Sequence, residues 1–259
     1  MTFSWTRVGA IFQKELRDYR RNRFVVFTMS LLPLVFIAAP MIQLFAIKVT
    51  STSARLEPRL GLSLLFLLIL PALIPSILSA YSVVGEREQG TLEPILTTPI
   101  HREEFLIGKA LAALLPTLAL SYLIFGIFLA AVALFAQPVV ASAVFEGSHV
   151  LVQLLFTPLV AGWSIWVGIA ISTRVGDVRA AQQLTIFAAL PPVAVVTLMS
   201  LNVIAASLGL ALGLAAFLIV IDGLAWRVLA TMFDRERLIT GSRAAKSTRV
   251  SPGGSRTAD

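Results

Sequence analysis

Six stretches of this chain contain no Asp, Glu, Lys or Arg: residues 24–47, 60–84, 110–135, 150–172, 184–201 and 203–221. They run for 24, 25, 26, 23, 18 and 19 residues and together take up 135 of the 259. At ~1.5 Å of rise per helical residue, the four longer stretches exceed a hydrocarbon core about 30 Å thick and the two shorter ones about match it. All six can span. The composition agrees, with 57% apolar residues, 14% charged residues and a mean hydropathy of +0.87; a soluble domain is nearer ~45–50% apolar and ~25% charged. The expected fold is an all-α polytopic membrane protein with six transmembrane helices. Too little chain remains outside them for an independent soluble domain, which argues against a self-contained enzyme on an anchor. Asn202 alone divides the last two stretches, so residues 184–221 also fit one tight hairpin with a partly re-entrant turn.

Orientation follows from the basic residues. Six Lys and Arg precede residue 24, three lie in 85–109, two in 173–183 and seven from residue 225 onward, giving 18 on one side. The other side carries Lys48, Arg55 and Arg59. The positive-inside rule places both termini in the cytoplasm. No cleavable signal peptide is expected, because the first 23 residues are charged and the first apolar run is long enough to span. A net charge of +7 and a pI near 10.5 would suggest nucleic acid in a soluble protein. Here the basic residues are accounted for as topology signals and contacts to anionic lipid, with no nucleic-acid partner. The absence of cysteine excludes disulfides, thiolate metal sites and a cysteine nucleophile.

Ionisable residues at bilayer depth mark proton-coupled carriers and pumps, and the six stretches hold none. Their polar groups, such as Ser63, Ser76, Ser79, Gln153 and Asn202, read as interhelical hydrogen-bonding residues. Eight prolines fall within the apolar runs, each removing a backbone donor and bending its helix. In the last stretch Ala205, Gly209, Gly213 and Ala216 share a stripe, and Gly209 with Gly213 forms a G-x-x-x-G suited either to packing within the chain or to a subunit interface. Residues 1–23 read as an amphipathic helix on the cytoplasmic membrane surface, with Trp5, Val8, Phe12, Leu16 and Tyr19 at spacings of three and four. The 225–259 tail is basic, and its end, rich in Ser, Gly, Arg and Thr, is expected to be disordered.

Residues 85–109, between the second and third spans, carry five carboxylates against three bases, unlike the rest of that basic face. Acidic side chains gain nothing from an anionic membrane surface, so a protein partner is the better explanation. Pro94 suits the first turn of one short helix, and Pro99 the first position of another with Thr98 as its cap and Glu103 and Glu104 near its positive end. Such a knob would offer Leu92, Ile95 and Leu96 to a partner's groove.

The run Glu86-Arg87-Glu88, Gly90-Thr91-Leu92-Glu93, Leu96, Thr98-Pro99-Ile100, Glu104 and Gly108-Lys109 resembles the signature of the ABC-2 type permeases, the membrane subunits of one class of ABC exporters. The six-span plan, the N-terminal surface helix and the run from Phe233 to Leu238 are similar too. The resemblance implies a multi-pass protein of the cytoplasmic membrane, paired with a second permease copy or homologue and docked on two copies of a separate ATPase. ATP and Mg would bind at that partner, with no cofactor on this chain. It also implies that Glu86, Glu88, Gly90, Thr91, Leu92, Glu93, Leu96 and Pro99 couple the permease to the ATPase. One departure is external. Some members carry a large extracellular domain after the first span, whereas here only residues 48–59 are available.

Other motifs fail. Gly85 and Gly90 have the glycine spacing of a phosphate-binding loop, but Thr91 and Leu92 follow where Lys and Ser or Thr belong, so the chain is expected not to hydrolyse ATP by itself. Asp222-Gly223-Leu224-Ala225-Trp226-Arg227 is only faintly similar to the motif of enzymes that transfer phosphoalcohols from CDP-linked lipids, and lacks its further aspartates. His101 and His149 fall on opposite sides of the expected topology and cannot share a metal site. The expected function is therefore that of an exporter permease working by alternating access, with largely apolar spans suited to an amphipathic or lipid-like cargo. A membrane-embedded enzyme of lipid metabolism and an ATP-independent channel or carrier are the alternatives.

Overall fold

The uncharged runs become long helices that continue past the runs into charged residues. This computed structural model describes residues 3–45, 53–91, 100–188, 190–200 and 208–232. In chain order they form α1 (Trp5–Arg21), α2 (Arg23–Phe45), α3 (Ser53–Glu88), α4 (Arg102–Phe135), α5 (Pro138–Val144), α6 (Gly147–Arg174), α7 (Val178–Ala188), α8 (Leu190–Ser200) and α9 (Leu208–Met232). No strand occurs among the described residues. Five segments are long and apolar enough to cross a membrane: Arg23–Phe45, Leu60–Glu88, Arg102–Phe135, His149–Arg174 and Gly209–Ala230. The chain is a multi-pass membrane protein.

The expected 184–201 span includes residues 189 and 201, which lie outside the described residues, and its described parts lie on α7 and α8. Two described boundaries differ from the sequence reading. Both described ends of segment 85–109 are helical rather than loop, since α3 runs to Glu88 and α4 begins at Arg102. Helix α9 continues to Met232, past the expected start of the tail at 225.

Helix α3 is the axis of the bundle and packs against α2, α4, α6, α7 and α8. Leu67, Leu70, Ile74, Leu78 and Val83 line it and are almost fully enclosed. It approaches α6 closely at Gly168, where an added Cβ would overlap Ser79 Oγ. Only a residue without a side chain permits that spacing, as small residues do between membrane helices. Four residues on, the Ser172 hydroxyl donates to the Ala80 carbonyl at 2.8 Å and accepts from the Val83 and Val84 N–H groups at 3.1 and 3.0 Å. Ser76 and Ser79, expected to bond between helices, instead donate to carbonyls of α3 itself. In lipid-like surroundings a hydroxyl that finds a carbonyl three or four residues back has no need of a neighbour.

The contacts also fix helix directions. Helix α6 runs parallel to α3, because Val160 clusters with Ala72 while Ser172, further along, meets Ala80 and Val84. Helix α9 runs parallel to α6, since Gly162 faces Asp222 and Trp166 stacks edge-on to Trp226. Between them α7 and α8 advance along α3: Val178 and Ala181 pack with Val84 and Ala80, Thr185 lies beside Gly168, and Val193 reaches Ala72 and Val160.

Candidate functional site

The end of the bundle that carries α1 is built from charges rather than from lipid-facing apolar groups. Helix α1 buries Val8, Ile11, Glu15 and Tyr19, a stripe spaced by three and four residues, and packs mainly against α4. Enclosing each apolar side chain contributes ~1.5–3 kcal/mol. Of the stripe expected for a membrane-surface helix, Trp5 is 68% exposed, while Phe12 and Leu16 are partly buried against the protein core. The face is therefore covered by the chain's own α4. Gly108 makes this possible, since a Cβ there would lie 2.7 Å from Ile11 Cγ2 and 3.2 Å from the Val8 carbonyl.

Four charges close this joint. Lys109 of α4 is fully enclosed, and its ammonium lies 2.8 Å from Glu15 of α1, 3.0 Å from Glu86 of α3 and 2.5 Å from the Ser82 carbonyl. Lys14 pairs with the same two carboxylates, 3.1 Å from Glu15 and in close contact with Glu86, and reaches Asp18 at 3.2 Å. Two cations against two enclosed anions is balanced, and the multiple hydrogen bonds offset the desolvation that a buried pair incurs. Burial pushes the Glu15 carboxyl up, but Lys109 and Lys14 outweigh it and hold it below the ordinary carboxylate range. Burial likewise opposes charging Lys14, yet Glu15 and Glu86 raise its pKa. Tyr19 is pushed well up by burial and by the nearby carboxylates of Glu15, Glu86 and Asp18.

A second clamp holds the start of α1. Glu104, fully buried at the third position of α4, takes a fork of two 2.7 Å bonds from Arg7, a 2.7 Å bond from the Ser4 N–H and a 3.1 Å bond from the His101 N–H. The last closes the first turn of α4, so His101 caps it in place of the expected Thr98. Charge-assisted forks of this kind are among the strongest side-chain contacts. Hydrogen bonding to Glu104 raises the Arg7 pKa.

The end of α3 is fastened in turn to the α6–α7 connection. Arg87 donates to the Val175 and Thr173 carbonyls at 3.2 Å each, and Glu88 accepts from the Val178 N–H at 3.1 Å, capping α7. Beyond Glu88 the chain turns away sharply. Gly90 has φ +69°, with Thr91 N–H donating to the Glu86 carbonyl at 2.9 Å and Gly90 N–H to the Arg87 carbonyl at 3.2 Å. This pair of bonds is a Schellman C-cap, and the left-handed position favours glycine.

Of the residues singled out for coupling, Glu86 is thus 6% exposed and locked in the ion cluster, whereas Glu88, Gly90 and Thr91 are exposed. Leu92, Glu93, Leu96 and Pro99 lie outside the described residues, as do Asn202 and the end of the tail. Gly209 and Gly213 point away from the bundle, with nothing within 4 Å of an added Cβ, while Ala211 and Ala215 of α9 pack inward. His101 and His149 lie at opposite ends of the bundle.

Sequence reasoning missed Lys14, Glu15 and Asp222, and gave Lys109 no role. A signal existed for Glu15: it stands four residues from both Ile11 and Tyr19, an acid on the apolar stripe. Asp222 was placed just outside the last uncharged run, but it lies in mid-bundle beside Gly162. The candidate span Gly209–Ala230 thus includes Asp222, one residue beyond the uncharged run 203–221.

A sequence model of the family described as ABC-2 family transporter protein matches residues 9–235 of the chain. No curated protein matches it.

Proposed function

The chain belongs to the ABC-2 transporter family, and from that premise we propose that it is the permease subunit of an exporter in the cytoplasmic membrane, driven by a separate ATPase through residues 86–99. Family members are membrane components that partner an ABC ATPase subunit. On this reading two permeases pair, each docked on one ATPase that binds ATP and Mg, and both termini lie in the cytoplasm with the ATPase.

The observation that carries the proposal is the anchoring of both ends of the 92–99 segment. Its first end leaves α3 through the Gly90 turn, directly after Glu86 and Glu88; its second enters α4 at the Glu104 clamp. A partner pressing on that segment therefore acts on α1, α3, α4 and the α6–α7 connection together. The nucleotide-bound partner must favour one arrangement of the bundle over the other for ATP to drive transport. Gly209 and Gly213, bare and outward-facing, suit the approach of the second permease. The passage of α7 and α8 along α3 supports a sixth crossing.

The informative substitutions are those that spare the buried cluster. Glu86 is enclosed, so changing it reports on folding first. Replacing Leu92 and Leu96 together with Asp is expected to leave insertion intact and to remove the ATPase from pull-downs, because a charge in a packed interface costs several kcal/mol. Glu88→Gln is expected to retain at least part of the ATPase and to reduce substrate-stimulated hydrolysis. Wild-type ATPase binding and transport in both variants would reduce the segment to a connector and remove the proposal's support.

A further inference from the structure

Gly162 stands at the middle of the His149–Arg174 span, 13 residues from one end and 12 from the other. Against it lies the Asp222 carboxylate of α9: a Cβ at Gly162 would be 2.8 Å from Asp222 Oδ2. On α6 the ionic layer is level with Ser172, roughly 15 Å away at helical rise. Asp222 therefore sits deep in the bilayer, well removed from the charges described above. Among the described residues it forms no salt bridge, and its Oδ1 is enclosed without a hydrogen-bond partner. Arg227, on the same helix and more than a turn nearer the α1 end, is exposed and forms no ion pair with it.

A carboxylate at this depth is costly and needs a positive partner. One turn from it, on the same two helices, Trp166 and Trp226 stand edge to face with ring centroids 5.4 Å apart. Gly162, Trp166, Asp222 and Trp226 are all half-buried, so the seam between α6 and α9 is open along one side. One anionic group a turn from a packed indole pair, set in apolar helices, is the chemistry that recognises organic ammonium-type ions: the carboxylate supplies the charge and the aromatic pair supplies cation–π attraction and apolar contact. A small hydrated metal ion is a poor fit, because a single carboxylate without further oxygen donors cannot replace its hydration shell.

We propose that Asp222, Trp166 and Trp226 form an intramembrane site for an amphipathic organic cation. Its use in transport rests on the permease reading above; its existence does not, and binding to the permease alone separates the two.

The test uses the full chain in lipid nanodiscs without an ATPase, with tetraphenylphosphonium as probe and tetraphenylborate, of the same shape and opposite charge, as control. Tetraphenylphosphonium should bind saturably and quench tryptophan fluorescence, and the borate should not. Asp222→Asn should weaken binding at least about tenfold, Asp222→Glu should recover part of it, and Trp226→Phe should fall between. Gly162→Ala keeps every charge but displaces the carboxylate, so it should weaken binding as well. Absence of saturable binding to the wild-type chain, equal binding of the borate, or wild-type affinity in Asp222→Asn would each overturn the site. Cation binding by a chain that recruits no ATPase would sink the exporter reading and leave this one standing.

Discussion

Lys109 and Lys14 neutralise the same two carboxylates, but from different surroundings. The Lys109 side chain is fully enclosed and that of Lys14 is 39% exposed. Removing the enclosed cation leaves Glu15 and Glu86 facing each other with only the rim charge, and breaking a buried pair in this way costs ~3–5 kcal/mol. Removing Lys14 admits water to a site still neutralised by Lys109, at a cost of about 1 kcal/mol. Lys109→Met is therefore expected to lower the unfolding temperature in detergent far more than Lys14→Met, and equal losses would contradict the assignment of Lys109 as the keystone. The same cluster sets an acid limit. Because the folded Glu15 carboxyl is held below its ordinary value of 4.5, its contribution is fully present above that value and is lost as pH falls through the depressed folded one. Hydrogen exchange in α1 should thus stay slow near neutrality and accelerate below about pH 4.5. Glu15→Gln should flatten that dependence. An unchanged acid response in the variant would place the sensitive group elsewhere.

At the scale of helices, the joint between α1 and α4 depends on one glycine, and α4 supplies its own control. An added methyl at Gly108 would press on Ile11 Cβ and Cγ2 and on the Val8 carbonyl, none of which is the end of a flexible side chain; at Gly126 it would meet nothing within 4 Å. Gly126→Ala should be neutral or stabilising by up to ~1 kcal/mol through helix propensity. Gly108→Ala should cost ~1–3 kcal/mol and expose α1 to protease while the spans remain inserted. Equal protease resistance in both would mean that α1 is held by its ion pairs alone. The two elements also differ in how well the sequence announces them. Uncharged runs disclose α2, α3, α4, α6 and α9 directly, because lipid forces an apolar residue at nearly every position. The docking of α1 was hidden, since an apolar stripe suits either a membrane surface or another helix, and the stripe itself does not say which. The boundaries at Glu88 and Arg102 were missed for a related reason: charged residues end a hydrophobic run without ending a helix when, like Glu86 and Glu104, they find partners.

For the molecule as a whole, the count of crossings decides which side the C-terminus occupies. Five long helices would place the ends of α2 and α9 so that the two termini fall on opposite sides of the membrane. The packing directions argue otherwise. Helix α6 ends at the α1 end of the bundle, and α9 runs parallel to α6, so α9 must begin at the far end and return. Between them, α7 and α8 advance from Val84 past Gly168 to Ala72, away from the α1 end. The sequence reading counted a pass here from its run of apolar residues, 184–201. The chain has no native cysteine, so single cysteines read the topology cleanly. With six crossings and the basic face inside, a cysteine at Ser142 should react with an impermeant reagent in intact cells, whereas cysteines at Gly176, Thr97 and Ser247 should react only after permeabilisation. Labelling of Ser142 and Ser247 together from outside would require an odd number of crossings, and labelling of Gly176 from outside would invert the bundle.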